Sequence, residues 1–158
     1  MNRFALALVV LLALGLSAQA QTEVPYPTEY RQWQHVKSML IEQGHPLYEA
    51  FGGIHHIYAN PLAMEGYRSG QFPDGAVIAF DLLEAERADH AVVEGVRKVL
   101  GVMHKDQAAY PETAGWGFEG FAAGDPAARV VGANAHDACF ACHTSEREYD
   151  YVFSRLRD

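Results

Sequence analysis

Near its C-terminus the chain reads Cys139-Phe140-Ala141-Cys142-His143, and Cys139 and Cys142 are its only 2 cysteines. The spacing is that of haem c attachment, in which each thiol adds to one vinyl group of the porphyrin and the adjacent imidazole reaches the iron. Three other readings compete. A chain exported to an oxidising compartment would ordinarily join two cysteines in one disulfide. A redox dithiol is expected beside a βαβ pattern. A closed structural zinc site needs four ligands, usually with more cysteines than remain here. The haem reading requires one covalent haem c held through Cys139 and Cys142, with His143 as its axial metal ligand.

The N-terminus is consistent with that compartment. Arg3 supplies a positive start, Phe4 to Leu16 is nearly all apolar, and Ala18-Gln19-Ala20 has the small-x-small form of a cleavage site. A transmembrane anchor would need about 20 continuous apolar residues, and this run is shorter and followed by polar Gln21, Thr22 and Glu23. Residues 1–20 are therefore expected to be a signal peptide and residues 21–158 a single haem c domain in the periplasm. The formal net charge of −8 argues against a nucleic-acid partner, because phosphate binding is driven by Lys and Arg. It also disfavours an anionic membrane surface.

Residues 21–27 read as a loose arm with Pro25 and Pro27. Thr28 can then cap a helix with an apolar stripe of Trp33, Val36, Leu40 and Ile41, ended by Gly44 and His45-Pro46. The run Ile54-His55-His56-Ile57-Tyr58-Ala59 predicts a strand. Asn60 as N-cap and Pro61 at the first helical position start a short helix that Gly70 terminates. Phe72-Pro73-Asp74-Gly75 is a turn, and Ala76 to Leu83, apolar on both faces, reads as a buried strand. Val92 to Lys105 fits a strand with Gly95 and Gly101 as bulges, although Val92, Val96, Val99 and Leu100 also have helical spacing. A further strand runs from Trp116 to Phe121. The C-terminal part is expected to be helical, with Ala133 to Thr144 carrying the haem motif and Tyr149, Val152, Phe153 and Leu156 spacing a terminal helix. Short polar connections favour antiparallel pairing. The predicted fold class is α+β: an antiparallel β-sheet with flanking helices and a C-terminal haem-binding helix.

Several strings in this order resemble the cytochrome P-460 superfamily, and more closely its cytochrome c′-β branch. They are WQHVKSMLIEQGHPL (Trp33 to Leu47), FGGIHHIYAN (Phe51 to Asn60), FPDGAVIAFDLL (Phe72 to Leu83), GVMHKD (Gly101 to Asp106), GWGFEGF (Gly115 to Phe121) and DYVFS (Asp150 to Ser154), with the haem motif before the last. The resemblance implies a homodimer with a five-coordinate haem and His143 on its proximal side. It also implies a choice between two branches. The P-460 branch carries a lysine cross-linked to the porphyrin and oxidises hydroxylamine, whereas c′-β members lack the link, have a phenylalanine-lined distal face and bind nitric oxide. By resemblance the cross-linking lysine belongs on the strand after the FPDG turn. Ala76 to Leu83 has none, and Phe80 stands at the aligned position.

Phe80 and Phe51 are accordingly the candidates for an apolar distal pocket, with ordinary core packing as the alternative for each. A phenylalanine wall offers a bound molecule no conventional hydrogen bond, so it disfavours polar iron-bound dioxygen relative to nitric oxide or another diatomic gas. A protein sixth ligand would instead make a low-spin electron carrier, and Met39, Met64, Met103, His35, His45, His55, His56, His90, His104 and His136 are the residues that could supply it. If His55 and His56 lie on a strand they point to opposite faces. Of the lysines Lys37, Lys98 and Lys105, Lys105 is the alternative cross-linker, set against a solvated strand end. Trp116 and Phe118 share one strand face. Arg97 and Arg129 are candidates to pair with haem propionates. Glu84, Glu86 and Asp89 read as a solvated loop.

Overall fold

The alternation in the FGGIHHIYAN string becomes a strand with one buried side. In the computed structural model, which describes residues 22–157, Gly53–Ala59 alternates buried and half-buried positions without a break. It is β2 of a sheet whose other members are β1 (Gln34–Ile41), β3 (Val77–Ala88), β4 (Ala91–Lys105) and β5 (Trp116–Ala122). The strands follow one another in the order β1-β2-β3-β4-β5, each antiparallel to the last. The α+β class and the antiparallel sheet are thus as expected. The expected signal peptide lies outside the described residues.

The first helix, α1 (Tyr48–Phe51), is one turn long and delivers Phe51 to the start of β2. The second, α2 (Pro61–Ser69), forms for the reasons its sequence gives. Asn60 Oδ1 accepts from Ala63 N at 2.8 Å and also from Val77 N at 3.0 Å, so one side chain caps the helix and ties its start to β3. Gly70 closes it at φ 82°, a left-handed conformation that costs glycine little. In the FPDG turn Ala76 N donates to Pro73 O at 3.0 Å, and the chain enters β3.

Two expected helices do not form. The stretch predicted to be the first helix, from Thr28 to Gly44, is a 3-10 turn (Tyr30–Gln32) followed by β1. Its apolar residues have helical spacing, yet only Val36 and Ile41 of β1 are buried, and a register irregularity between His35 and Lys37 accommodates Val36. Pairing with β2 satisfies a complete backbone ladder, and that long-range gain overrides a weak local propensity. The terminal helix is also absent. The helical segment 136–149 stops at Tyr149, because Asp150 and Tyr151 adopt φ values of 51° and 66°. Within that segment, His136–Phe140 is a π-helical turn, Ala141–His143 is α-helical and Thr144–Tyr149 is 3-10.

The Val92 to Lys105 ambiguity resolves to strand. β4 is out of register with β3 at two places, next to Lys98 and around Gly95, whereas Gly101 pairs regularly with Phe80 and Gly120. Gly95 is therefore at an irregularity as expected and Gly101 is not. Glu84 and Glu86 belong to β3, in a hairpin arm that projects beyond the core, rather than to a loop.

Two apolar clusters cover the two faces of the sheet. One joins Ile57, Ala59, Ile78, Trp116 and Phe118 to α2 and to Ala135, Phe140 and Val152 of the C-terminal part. The other joins Ala79, Leu100, Val102 and Phe121 to Val24 and Tyr30 of the N-terminal arm. Trp116 and Phe118 do share a face.

Candidate functional site

Segment 136–149 presents the Cys-Phe-Ala-Cys-His motif to the first of these faces. Phe140 is buried in that cluster with Cys139 packed against it, while Cys142 is exposed, and both thiols are free. Burial pushes the Cys139 thiol up to about 11, with the charge of Glu119 adding to the effect. His143 packs against two phenylalanines, tilted against Phe118 at 5.0 Å between ring centroids and edge-on to Phe153 at 4.9 Å.

The orientation of His143 is fixed by one bond. Its Nδ1 stands 2.7 Å from Tyr151 O, and because a carbonyl oxygen can only accept, Nδ1 carries the proton and Nε2 holds a free lone pair. Burial lowers the His143 pKa, which favours this neutral form. A histidine with one ring nitrogen tied to a backbone carbonyl and the other free is the arrangement metal-ligating histidines use.

On the same face, Phe80 of β3 and Phe51 of α1 meet edge to face, with centroids 5.7 Å apart and ring planes at 79°. The two phenylalanines named from the sequence are thus brought together, although they are 29 positions apart. Phe80 also packs against the cluster that contains Phe118, Phe140 and Cys139. Across the sheet, Phe80 shares a row with Lys37, Ile57, Gly101 and Gly120. A Cβ at Gly101 would meet the Phe80 ring at 3.4 Å and one at Gly120 would meet Val130 Cγ2 at 2.8 Å, so neighbouring side chains close over both glycines.

His55, named from the sequence only among the possible sixth ligands, completes this group. Its ring lies 4.7 Å from that of Phe80 at an interplanar angle of 33°. The residue is 5% exposed, its Nδ1 has no hydrogen-bond partner, and burial depresses its pKa to about 4, helped by the charge of Lys37. Alternation in β2 was the signal that could have found it, since His55 and Ile57 must share a face. His56 points to the other face, where it bonds Ser38 and Glu94, both at 2.6 Å.

The remaining candidates divide by face and by partner. Arg97 is engaged by Asp81, with Nε at 2.5 Å from Oδ1, and Arg129 by Val24 O at 2.9 Å and Glu119 at 3.3 Å, so protein carboxylates already hold both guanidinium groups. Lys98 donates to Gly52 O at 2.8 Å. Lys105 is not a solvated strand end: it is 3% exposed and pairs with Asp150 at 2.8 Å. Met64 is buried in the core, and His45, His90 and His136 are exposed. His104 is half-buried against Tyr110 under the opposite face.

The segment that carries Cys139, Cys142 and His143 thus lies against the sheet face that bears the Phe51–Phe80 pair, with a histidine held as metal-ligating histidines are. The family model for Cytochrome P460 matches residues 27–154, and the chain belongs to that family. No curated protein matches it. The family implies a haem cofactor, and the residues fit one: His143 Nδ1 is tied to Tyr151 O, which leaves Nε2 free, and the same helical segment carries the free thiols of Cys139 and Cys142. Among the described residues no helix is long and apolar enough to cross a membrane.

Proposed function

We propose that the protein is an exported, periplasmic c-type cytochrome of the c′-β branch that binds nitric oxide, or a similar diatomic gas, at a single covalently attached haem. In this reading Cys139 and Cys142 hold the porphyrin through thioether bonds and His143 Nε2 is the axial ligand. Such a haem would supply an iron able to take a small ligand. The chain's own residues determine what reaches that position. Phe80 and Phe51 exclude water and offer no hydrogen bond, which penalises polar ligands and leaves small apolar gases. By resemblance the protein works as a homodimer, with sequestration, transport or sensing as its role.

The observation that carries this reading is the Phe51–Phe80 edge-to-face pair on the sheet face that also meets the haem motif. Adding nitric oxide to the reduced protein while recording the Soret band tests it. A clear shift is expected, and an unchanged spectrum would sink the idea.

One observation favours a second reading, an oxidoreductase acting on hydroxylamine or nitric oxide through a lysine-modified porphyrin. Lys37, half-buried on β1, stands in the same cross-sheet row as Phe80. A pyridine haemochrome spectrum separates the two: a normal c-type band supports the gas-binding reading, and a displaced one supports a lysine link.

A further inference from the structure

The bond that orients His143 ends on the carbonyl of Tyr151, a residue in an unfavourable conformation. Tyr151 has φ 66° and follows Asp150 at φ 51°. Two successive non-glycine residues in the left-handed region are unfavourable and persist only where the surroundings over-determine them. Local capping bonds supply part of that over-determination, with Tyr151 N on Glu146 O at 2.9 Å and Asp150 N on Arg147 O at 3.2 Å, and the long-range part comes from Asp150 and its partners.

Asp150 is held at three atoms. Its Oδ1 accepts from Lys105 Nζ at 2.8 Å, its Oδ2 from Phe72 N at 2.9 Å, and its backbone carbonyl from Trp116 Nε1 at 2.8 Å. Lys105 is itself fixed. It is 3% exposed, donates a second bond to Ala114 O at 3.0 Å, and lies 4.8 Å over the Trp116 ring. Its backbone is paired on both sides, with Lys105 N on Ala76 O at 2.9 Å and Gly75 N on Lys105 O at 2.8 Å. The chain of contacts therefore runs without a gap from the end of β4 through Asp150 to Tyr151 O and His143 Nδ1. A buried ammonium is rare and costs desolvation unless it is well paired, so its presence here calls for a role that a surface lysine does not fill.

We propose that Lys105 is a positioning residue for His143: by anchoring Asp150 it holds the Tyr151 carbonyl on Nδ1 of the axial imidazole and so keeps that imidazole electron-rich and fixed in rotation. The proposal rests on the reading of His143 as the haem's axial ligand. A strong Nδ1–H···O=C bond raises the basicity of the other ring nitrogen. That strengthens its bond to iron and stabilises the ferric state over the ferrous.

Lys105→Met in the full-length holoprotein tests this. The expected result is a lower iron–histidine stretching frequency in the resonance Raman spectrum of the ferrous protein and a more positive midpoint potential, with haem content by pyridine haemochrome unchanged. A Lys105→Met protein that melts at lower temperature but keeps both the frequency and the potential of the parent overturns the proposal, because the ion pair is then purely structural. If Lys105→Met does not accumulate folded, Trp116→Phe, which removes the donor to Asp150 O and part of the ring on which Lys105 rests, should move the same two readouts in the same direction by a smaller amount; no movement there also overturns it. A parent protein whose ferrous haem is six-coordinate ends the gas-binding reading but leaves the potential shift to decide for or against Lys105.

Discussion

His55 is a buried neutral imidazole beside Phe80, and its environment makes a pH prediction. Its pKa falls from an ordinary 6.5 to about 4 in the folded chain. As pH drops below 6.5 the unfolded chain takes up a proton that folded His55 refuses, so stability is complete above that pH and declines towards pH 4. The full loss at this site is roughly 3 kcal/mol. His55→Leu should flatten that part of the stability–pH profile in urea titrations between pH 7 and pH 4, and at pH 7 it should be at least as stable as the parent, because Nδ1 has no partner to lose. Parallel profiles for the two proteins would show that His55 is not held neutral. The cysteine–histidine motif could be read because it occupies five adjacent positions. The place of Phe80 on the sheet could be read because the FPDG turn fixes where β3 starts. His55 could be named only as one of many possible sixth ligands, since alternation says which residues share a face but not which face meets segment 136–149. The Lys105–Asp150 pair spans 45 positions, and a lone lysine at a strand end gives no sign of a carboxylate so far along the chain.

At the scale of elements, the join between β2, α2 and β3 concentrates its hydrogen bonding in Asn60. Besides Ala63 N and Val77 N, it serves Gly75 O through Nδ2 at 2.9 Å. Asn60→Ala leaves two backbone donors and one acceptor without that partner, and it should lower stability by about 2 kcal/mol, more than an ordinary cap. Asn60→Asp keeps the acceptor for both amides and should recover most of the difference. Melting curves of the three proteins check the order. This join could be read from Asn-Pro and the later Gly because each acts within a few residues. β1 could not. Trp33, Val36, Leu40 and Ile41 satisfy a helical stripe, and what decides for a strand is a register with β2 that runs from Gln34 opposite Ala59 to Ile41 opposite Gly53. The same holds for the C-terminus, where helical spacing of Tyr149, Val152 and Phe153 loses to the three hydrogen bonds that hold Asp150 outside the helical region.

Across the whole molecule the two faces of the sheet differ in what closes them. The face under the N-terminal arm is completed by protein, with Val24, Tyr30, Leu100, Val102, Tyr110 and Phe121 all buried. The other leaves Phe51 41% and Phe153 49% exposed, although one phenylalanine touches Phe80 and the other His143. Exposed apolar side chains of this size are expected at a ligand-binding groove. Segment 141–149, which contains Cys142 and His143, has no fully buried residue and is tied to the rest of the chain mainly through His143 and Glu146, so its order is expected to depend in good part on what binds to it. That separates two stabilities within one domain. In a Cys139→Ala/Cys142→Ala protein purified without haem, amides of 141–149 should exchange with solvent at least about tenfold faster than in the holoprotein. Amides of β3 and of β4 near Leu100 and Val102 should keep most of their protection. Uniform loss across both faces would mean that the sheet itself needs the cofactor, and unchanged exchange in 141–149 would mean that the segment is ordered by the chain alone.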